Sequence, residues 1–206
     1  MKVFNFFLHP FFFISKGVSY LINKITYKKF GTGAYIVRPM RIVNKKCISI
    51  GSHVLIRDAA RIEPVTEYAG TRYTPLIKIG AKTMVEQGLH ISCSQSVAIG
   101  ENCLISSYVF ITDTNHNYED INIPISFQSL SVKPTIIGND SFIGTGAKIM
   151  AGVTIGIHCV IGSNAVVTHD IPDYCIAVGI PAIIIKRYNS VSLAWEKTDE
   201  FGNFIK

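Results

Sequence analysis

The side chain best suited to chemistry is His116. It sits in the stretch Thr112 to Thr135, which reads TDTNHNYEDINIPISFQSLSVKPT. An imidazole titrates near neutrality, so a histidine held over a groove can take a proton from a hydroxyl or an amine during bond formation. Asp113, Asn115, Tyr118, Glu119 and Asp120 stand close to it in sequence, and Asp113 could orient the ring or touch an acceptor. A loop histidine hydrogen-bonded only to backbone is the plain alternative. Compact folds seldom carry so long an excursion without a use. Ile121, Ile123, Ile125 and Phe127 make this one apolar enough to pack against something, such as a neighbouring subunit.

What must position His116 is visible just after it. From Ile137 to Asp170 the chain reads in sixes as IGNDSF, IGTGAK, IMAGVT, IGIHCV, IGSNAV, VTHD. An aliphatic residue recurs at Ile137, Ile143, Ile149, Ile155, Ile161 and Val167, and Gly follows at 138, 144, 156 and 162. Ser141, Ala147, Val153, Cys159 and Ala165 supply a slim side chain two places before each aliphatic one. A period of six suits neither an amphipathic helix nor an alternating strand. It suits a parallel β-helix in which each six gives one short strand and one turn, and three sixes give one triangular coil. The expected fold is therefore an all-β solenoid of hexapeptide repeats, with a short N-terminal helical segment and a C-terminal tail.

The period extends back to Ile36, with two-residue slips at Ile48–Ile50 and Val97–Ile99. The register predicts a solenoid over residues 31–172, of roughly six coils and about 30 Å long at the inter-strand spacing. Loops at 63–76 and 112–135 interrupt it. Residues 1–30, rich in Phe and Ile and then in Lys, form either a cap over the open first coil or a segment lying on an anionic membrane surface. Residues 173–206 are expected to dock outside the coil. His53 and His158 fall at turn positions. The 206 residues carry a formal charge of +6, which favours anionic partners without choosing among them. Nothing in the chain resembles a basic–aromatic nucleic-acid motif. Five cysteines without a C-x-x-C argue against a disulfide framework or a zinc site and for a reducing, cytoplasmic location, peripheral contact with the inner membrane being the variant. Cys103 and Cys159 occupy slim corner positions, as small buried side chains.

Taken in order, the sixes, the histidine-bearing loop before the regular block and the ending VVTHDIPDYCIAVGIPAIIIKR resemble the hexapeptide-repeat acyltransferases with a left-handed β-helix. The sugar O-acetyltransferases of the galactoside/maltose and O-antigen/capsule branch are the nearest match. The resemblance implies a left-handed coil, a homotrimer, acetyl-CoA as co-substrate in the cleft between two prisms, no metal, and His116 as general base. A backbone N–H at the prism edge would hold the developing oxyanion. Carried over residue by residue, it places Thr145 and Ser163 against the pantetheine arm, Thr168 near the adenosine, and Lys186, with Arg187 beside it, toward the CoA phosphates. Glu86, Asp113 and His90 become acceptor contacts. Two positions depart from the family pattern: Phe142 replaces Trp, and His169 replaces Lys.

The implied activity is acetyl-CoA-dependent O-acetylation of a sugar in a bacterial surface polysaccharide or its precursor, by direct transfer. Acetylation of the amine of a nucleotide-linked amino sugar would use the same histidine. Two other classes are weighed. A β-helical carbonic anhydrase would need further zinc-binding histidines near the loop, and Asn117 to Ile121 contain none. A non-catalytic β-helix scaffold would need neither the loop histidine nor the terminal motif.

Overall fold

The computed structural model describes residues 20–205. Its strands are mostly two to four residues long, and most of them stack in parallel on three faces that the chain visits in rotation. Face one holds Lys29–Phe30, Ile48–Ile50, Leu76–Ile79, Ser96–Ile99, Thr135–Ile137 and Thr154–Ile155. Face two holds Tyr35–Ile36, Leu55–Ile56, Met84–Val85, Leu104–Ile105, Phe142–Ile143, Val160–Ile161 and Cys175–Gly179. Face three holds Arg41–Ile42, Arg61–Pro64, His90–Cys93, Phe110–Thr112, Lys148–Ile149 and Val166–Val167. Each circuit therefore adds one rung to every face.

The repeat produces this because one residue of each six points inward and lands on its counterpart one circuit away. Ile105 pairs with Ile143 and Ile143 with Ile161, while Ile111 pairs with Ile149 and Ile149 with Val167. All are fully buried. Burying such a side chain stabilises by about 2 kcal/mol, so the stacks supply the core. The slim residues Ser141, Ala147, Val153, Cys159 and Ala165 are buried at the corners, as their spacing predicts. His53 and His158 adopt φ of 58° and 52° at the turns between faces one and two.

The two-residue slips lengthen face one. There Ile48 and Ile50, Ile77 and Ile79, and Val97 and Ile99 all point inward, so each of these rungs buries two side chains on that face. Above Val97 lies Thr135, fully buried, whose hydroxyl donates to Thr112 O at 2.8 Å. That polar residue ends the wide part of the coil, and the regular sixes follow.

At the N-terminal end residues 20–26 are helical. Tyr27 and Phe30 are buried over the first rung, their rings 5.2 Å apart. The rest of the N-terminal segment, residues 1–19, lies outside the described residues. At the other end the solenoid boundary near 172 does not mark the end of regular structure. Cys175–Gly179 continues face two in parallel with Val160–Ile161. The chain then reverses, and Ala182–Asn189 and Ala194–Lys197 add antiparallel to it, so much of the expected tail is sheet. Ala182 and Ile184 are buried against the core.

Candidate active site

Two excursions leave the corner between faces three and one. The lower follows Arg61–Pro64 and forms the hairpin Glu67–Tyr68 with Thr71–Arg72. The upper follows Phe110–Thr112 and pairs Thr114–His116 antiparallel with Leu130–Val132. Between them the same corner is the plain turn at Ser94 and Gln95.

His116 stands exposed on the upper excursion, opposite Leu130. Neither of its ring nitrogens hydrogen-bonds a described residue, so both are open to a substrate. Tyr68 of the lower hairpin meets the imidazole edge to face, with centroids 5.2 Å apart and planes at 69°. The tip of the excursion is ordered by its own bonds: Gln128 Nε2 donates to Asp120 O and Ile123 O, both at 2.8 Å. Ile121 and Phe127 on this tip are 93% and 72% exposed.

Asp113 differs from its expected role. It is 0% exposed and accepts hydrogen bonds from the backbone N–H groups of Ser94, Gln95 and Ser96 at 2.6–2.8 Å, and from the Thr114 hydroxyl at 2.6 Å. A carboxylate used in this way cannot reach an acceptor. It ties the root of the His116 excursion to the turn one rung below. The Cys93 thiol, 3.3 Å away, is pushed well above its ordinary pKa by burial and by this carboxylate.

His90 lies on the outer surface of face three, its ring 5.0 Å from Phe110 and its Nε2 3.7 Å from Glu63. Glu63 also receives Arg41 at 2.9 Å and Arg61 at 2.6 Å. Burial, then the Arg61 charge, lowers the His90 pKa, and Glu63 partly opposes them. Glu86 is at the other edge of this face, paired with Arg57 at 3.2 Å.

The expected CoA contacts divide between edges. Thr145 and Ser163 occupy successive rungs of the corner between faces two and three, where Thr145 Oγ1 is 2.7 Å from Ser106 Oγ and Thr145 O accepts from Asn164 N at 2.8 Å. Thr168 belongs to the corner of the His116 excursion, 2.9 Å from His169 Nδ1. Lys186 and Arg187 are neighbours on one strand, so their side chains point to opposite faces. Arg187 pairs with Cys175 and Glu196, and only Lys186 faces outward with Lys197, its cross-strand partner. Two exposed lysines directly opposed repel one another, and an anion between them would relieve that. Lys197 escaped sequence reasoning because the hairpin that brings it to Lys186 has no periodic signal. Phe142 is partly exposed on the outer surface of face two, between Leu104 and Val160.

Residues 134–169 match the family model described as bacterial transferase hexapeptide (six repeats). Over 189 residues the chain is 32% identical to an Escherichia coli K12 protein named for lipopolysaccharide biosynthesis, the O-acetyl transferase WbbJ, covering 82% of this chain and 96% of that one. The chain belongs to the hexapeptide-repeat acyltransferases. It is also 30% identical over 159 residues to the galactoside O-acetyltransferase of E. coli K12, covering 73% of this chain and 72% of that protein. A longer Mycobacterium tuberculosis relative, the acetyltransferase Rv3034c, is 38% identical over 120 residues, but these span only 39% of its length. Among solved structures, a point mutant of the Bacillus cereus N-acyltransferase AntD, in complex with dTDP and coenzyme A, shares the fold with a TM-score of 0.67 at 19% identity, covering 84% of this chain and 89% of that one. The Vibrio cholerae acetyltransferase VCA0836, complexed with acetyl-CoA, gives 0.57 at 20% identity, over 85% of this chain and 79% of that one.

Proposed function

We propose that this chain is an acetyl-CoA-dependent O-acetyltransferase acting on a sugar hydroxyl of a bacterial surface polysaccharide or its precursor. On this reading the coil is left-handed and the enzyme is a homotrimer. The observation that carries the reading is the exposed imidazole of His116, unpaired among the described residues, on an excursion anchored by a buried carboxylate. The similarity to WbbJ along nearly its whole length supports the acceptor class. His116 takes the proton of the acceptor hydroxyl as that oxygen attacks the thioester carbonyl. The carbon–sulfur bond breaks, and CoA leaves as its thiol.

The division of the other residues between edges supports a shared site. His116 and Thr168 lie on one edge of face three, and Glu86, Thr145 and Ser163 on the other. A copy of the chain presenting its second edge to the first edge of its neighbour would gather them. The apolar tip at Ile121 and Phe127 suits burial in that contact. Lys186 and Lys197 offer cations for the CoA phosphates. Leu21, Ile22 and Ile25, exposed beside Lys24 and Lys28, suit a cytoplasmic enzyme that touches the membrane presenting its acceptor.

The test is acetyl transfer from labelled acetyl-CoA to glycans of cells lacking the protein, read as the mass gain of one acetyl group. His116→Ala should lower turnover about a hundredfold or more while leaving acetyl-CoA affinity nearly unchanged. Full turnover in that variant removes His116 from the mechanism. Acetylation of nucleotide-linked amino sugars, with none of hydroxyl acceptors, would replace the O-transfer reading with N-transfer.

A further inference from the structure

We infer that the short hairpin Glu67–Arg72 is part of the active site, with Tyr68 as a positioning residue that fixes the plane of the His116 imidazole. This rests on His116 being the base. The hairpin is not needed to complete a coil, since the next rung turns the same corner at Ser94 and Gln95 with no insertion. Yet it is built to be rigid. Its two-residue turn, Ala69 and Gly70, has φ of 45° and 74°, the paired positive values whose twist matches that of the flanking strands. Thr66 O closes its base by accepting Tyr73 N at 2.9 Å.

Both ends of this unit reach the histidine. The Tyr68 ring lies edge to face with the imidazole. The Tyr73 hydroxyl accepts the Leu130 N–H at 2.8 Å, and Leu130 is the residue opposite His116 in the upper excursion. One tyrosine therefore holds the ring and the other holds the strand beside it. With Asp113 binding the intervening turn, three successive rungs of one edge brace a single side chain. A general base must be held within a small angle of its proton-transfer line, and a misplacement of about 1 Å can cost a hundredfold. Tyr68 restricts rotation of an imidazole that has no hydrogen-bonding partner among the described residues.

The experiment compares Tyr68→Ala, Tyr68→Phe and Tyr73→Phe in the full chain. Carbon–proton correlation spectra of the histidine rings need no acceptor; the His116 signals are assigned by their loss in His116→Ala. Tyr68→Ala should move the His116 ring signals by removing the ring current. Tyr68→Phe should restore them, and the other histidines should stay in place. In the transferase assay Tyr68→Ala should lower kcat about tenfold or more with the acetyl-CoA KM unchanged, and Tyr68→Phe should recover most of it. Tyr73→Phe, which leaves Leu130 N–H unpaired, should fall between them. Tyr68 lies outside the core, so melting temperatures should stay close to that of the parent. The inference is overturned if His116 signals in Tyr68→Ala superimpose on the parent's, or if Tyr68→Ala keeps full kcat. Absence of transfer even by the parent chain would defeat the function proposed above, while the ring signals would still decide whether Tyr68 sets the histidine.

Discussion

At the scale of the residue, Asp113 shows most clearly how stacking decides what a side chain does. Its place three residues before His116 suggests a partner for the ring. Its carboxylate instead accepts three backbone N–H groups from a turn some twenty positions earlier in the chain. Which turn lies beneath a given residue depends on the length of the circuit, and the two-residue slip at Val97–Ile99 falls within this one. Asp113→Ala would leave those amides, one buried and two part-buried, without an acceptor, at about 1–3 kcal/mol for the buried one and less for the others. The variant should therefore lose about 3 kcal/mol or more in denaturant unfolding, far more than the loss of a surface contact with an acceptor. Asp113→Asn, which keeps one acceptor oxygen but turns an NH2 group toward an N–H, should lie between them. A melting curve for Asp113→Ala that overlays the parent's would contradict the anchoring role. His116 was legible because it sits in an excursion the repeat does not need. Tyr68 was not, because a tyrosine in a short loop has no signature until the fold brings the two loops together.

At the scale of the element, the period of six carries most of the architecture. It marks the inward residues, the slim corners and the turns, and the structure puts them there. The reason is local: each rung repeats the same backbone path, so the same side-chain constraint returns every circuit. Glycine at the corner between faces one and two is the sharpest case. A Cβ on Gly138 would lie 2.5 Å from Gly156 O, and one on Gly156 would lie 2.5 Å from Asp173 N. Both contacts are with backbone that cannot move without shifting the next rung. Gly138→Ala should therefore destabilise by about 1–3 kcal/mol, the usual cost of overpacking. Gly70→Ala meets nothing within 4 Å among the described residues and should cost only about 1 kcal/mol through its positive φ. Thermal unfolding of the two variants side by side checks this order, and the reverse order would mean that the corner yields to an added methyl group. The hairpin strands and the C-terminal antiparallel strands were not legible in the same way. They obey no repeat, and their pairing depends on short turns of two to four residues and on edges left free by the coil.

At the scale of the whole molecule, the residues proposed for the site lie on opposite edges of face three. Neither of two large concavities of the single chain is lined by His116 or Thr145. One, of about 430 Å³, is beneath the C-terminal strands by His169, Pro172 and Phe201; the other, of about 760 Å³, runs along face one past Lys29, Lys78 and Ile136. If the working cleft is built from the first edge of one copy and the second edge of the next, the site is heterologous and closes into a ring. Catalytic defects on different edges should then complement each other. His116→Ala removes the proposed base from one edge, and Thr145→Trp would obstruct the other. Each should be nearly inactive alone. Unfolded together in equal amounts and refolded, they should regain activity, because some clefts draw His116 from one variant chain and Thr145 from the other. Random assembly makes about a quarter of the clefts fully native, so recovery should approach about a quarter of the parent's turnover. If the two halves instead served one chain, no mixture could combine them, because each chain carries one defect. Light scattering fixes the number of copies in the same sample. Ile121→Asp with Phe127→Asp should lower that number and the turnover together, even though His116 and Tyr68 are untouched.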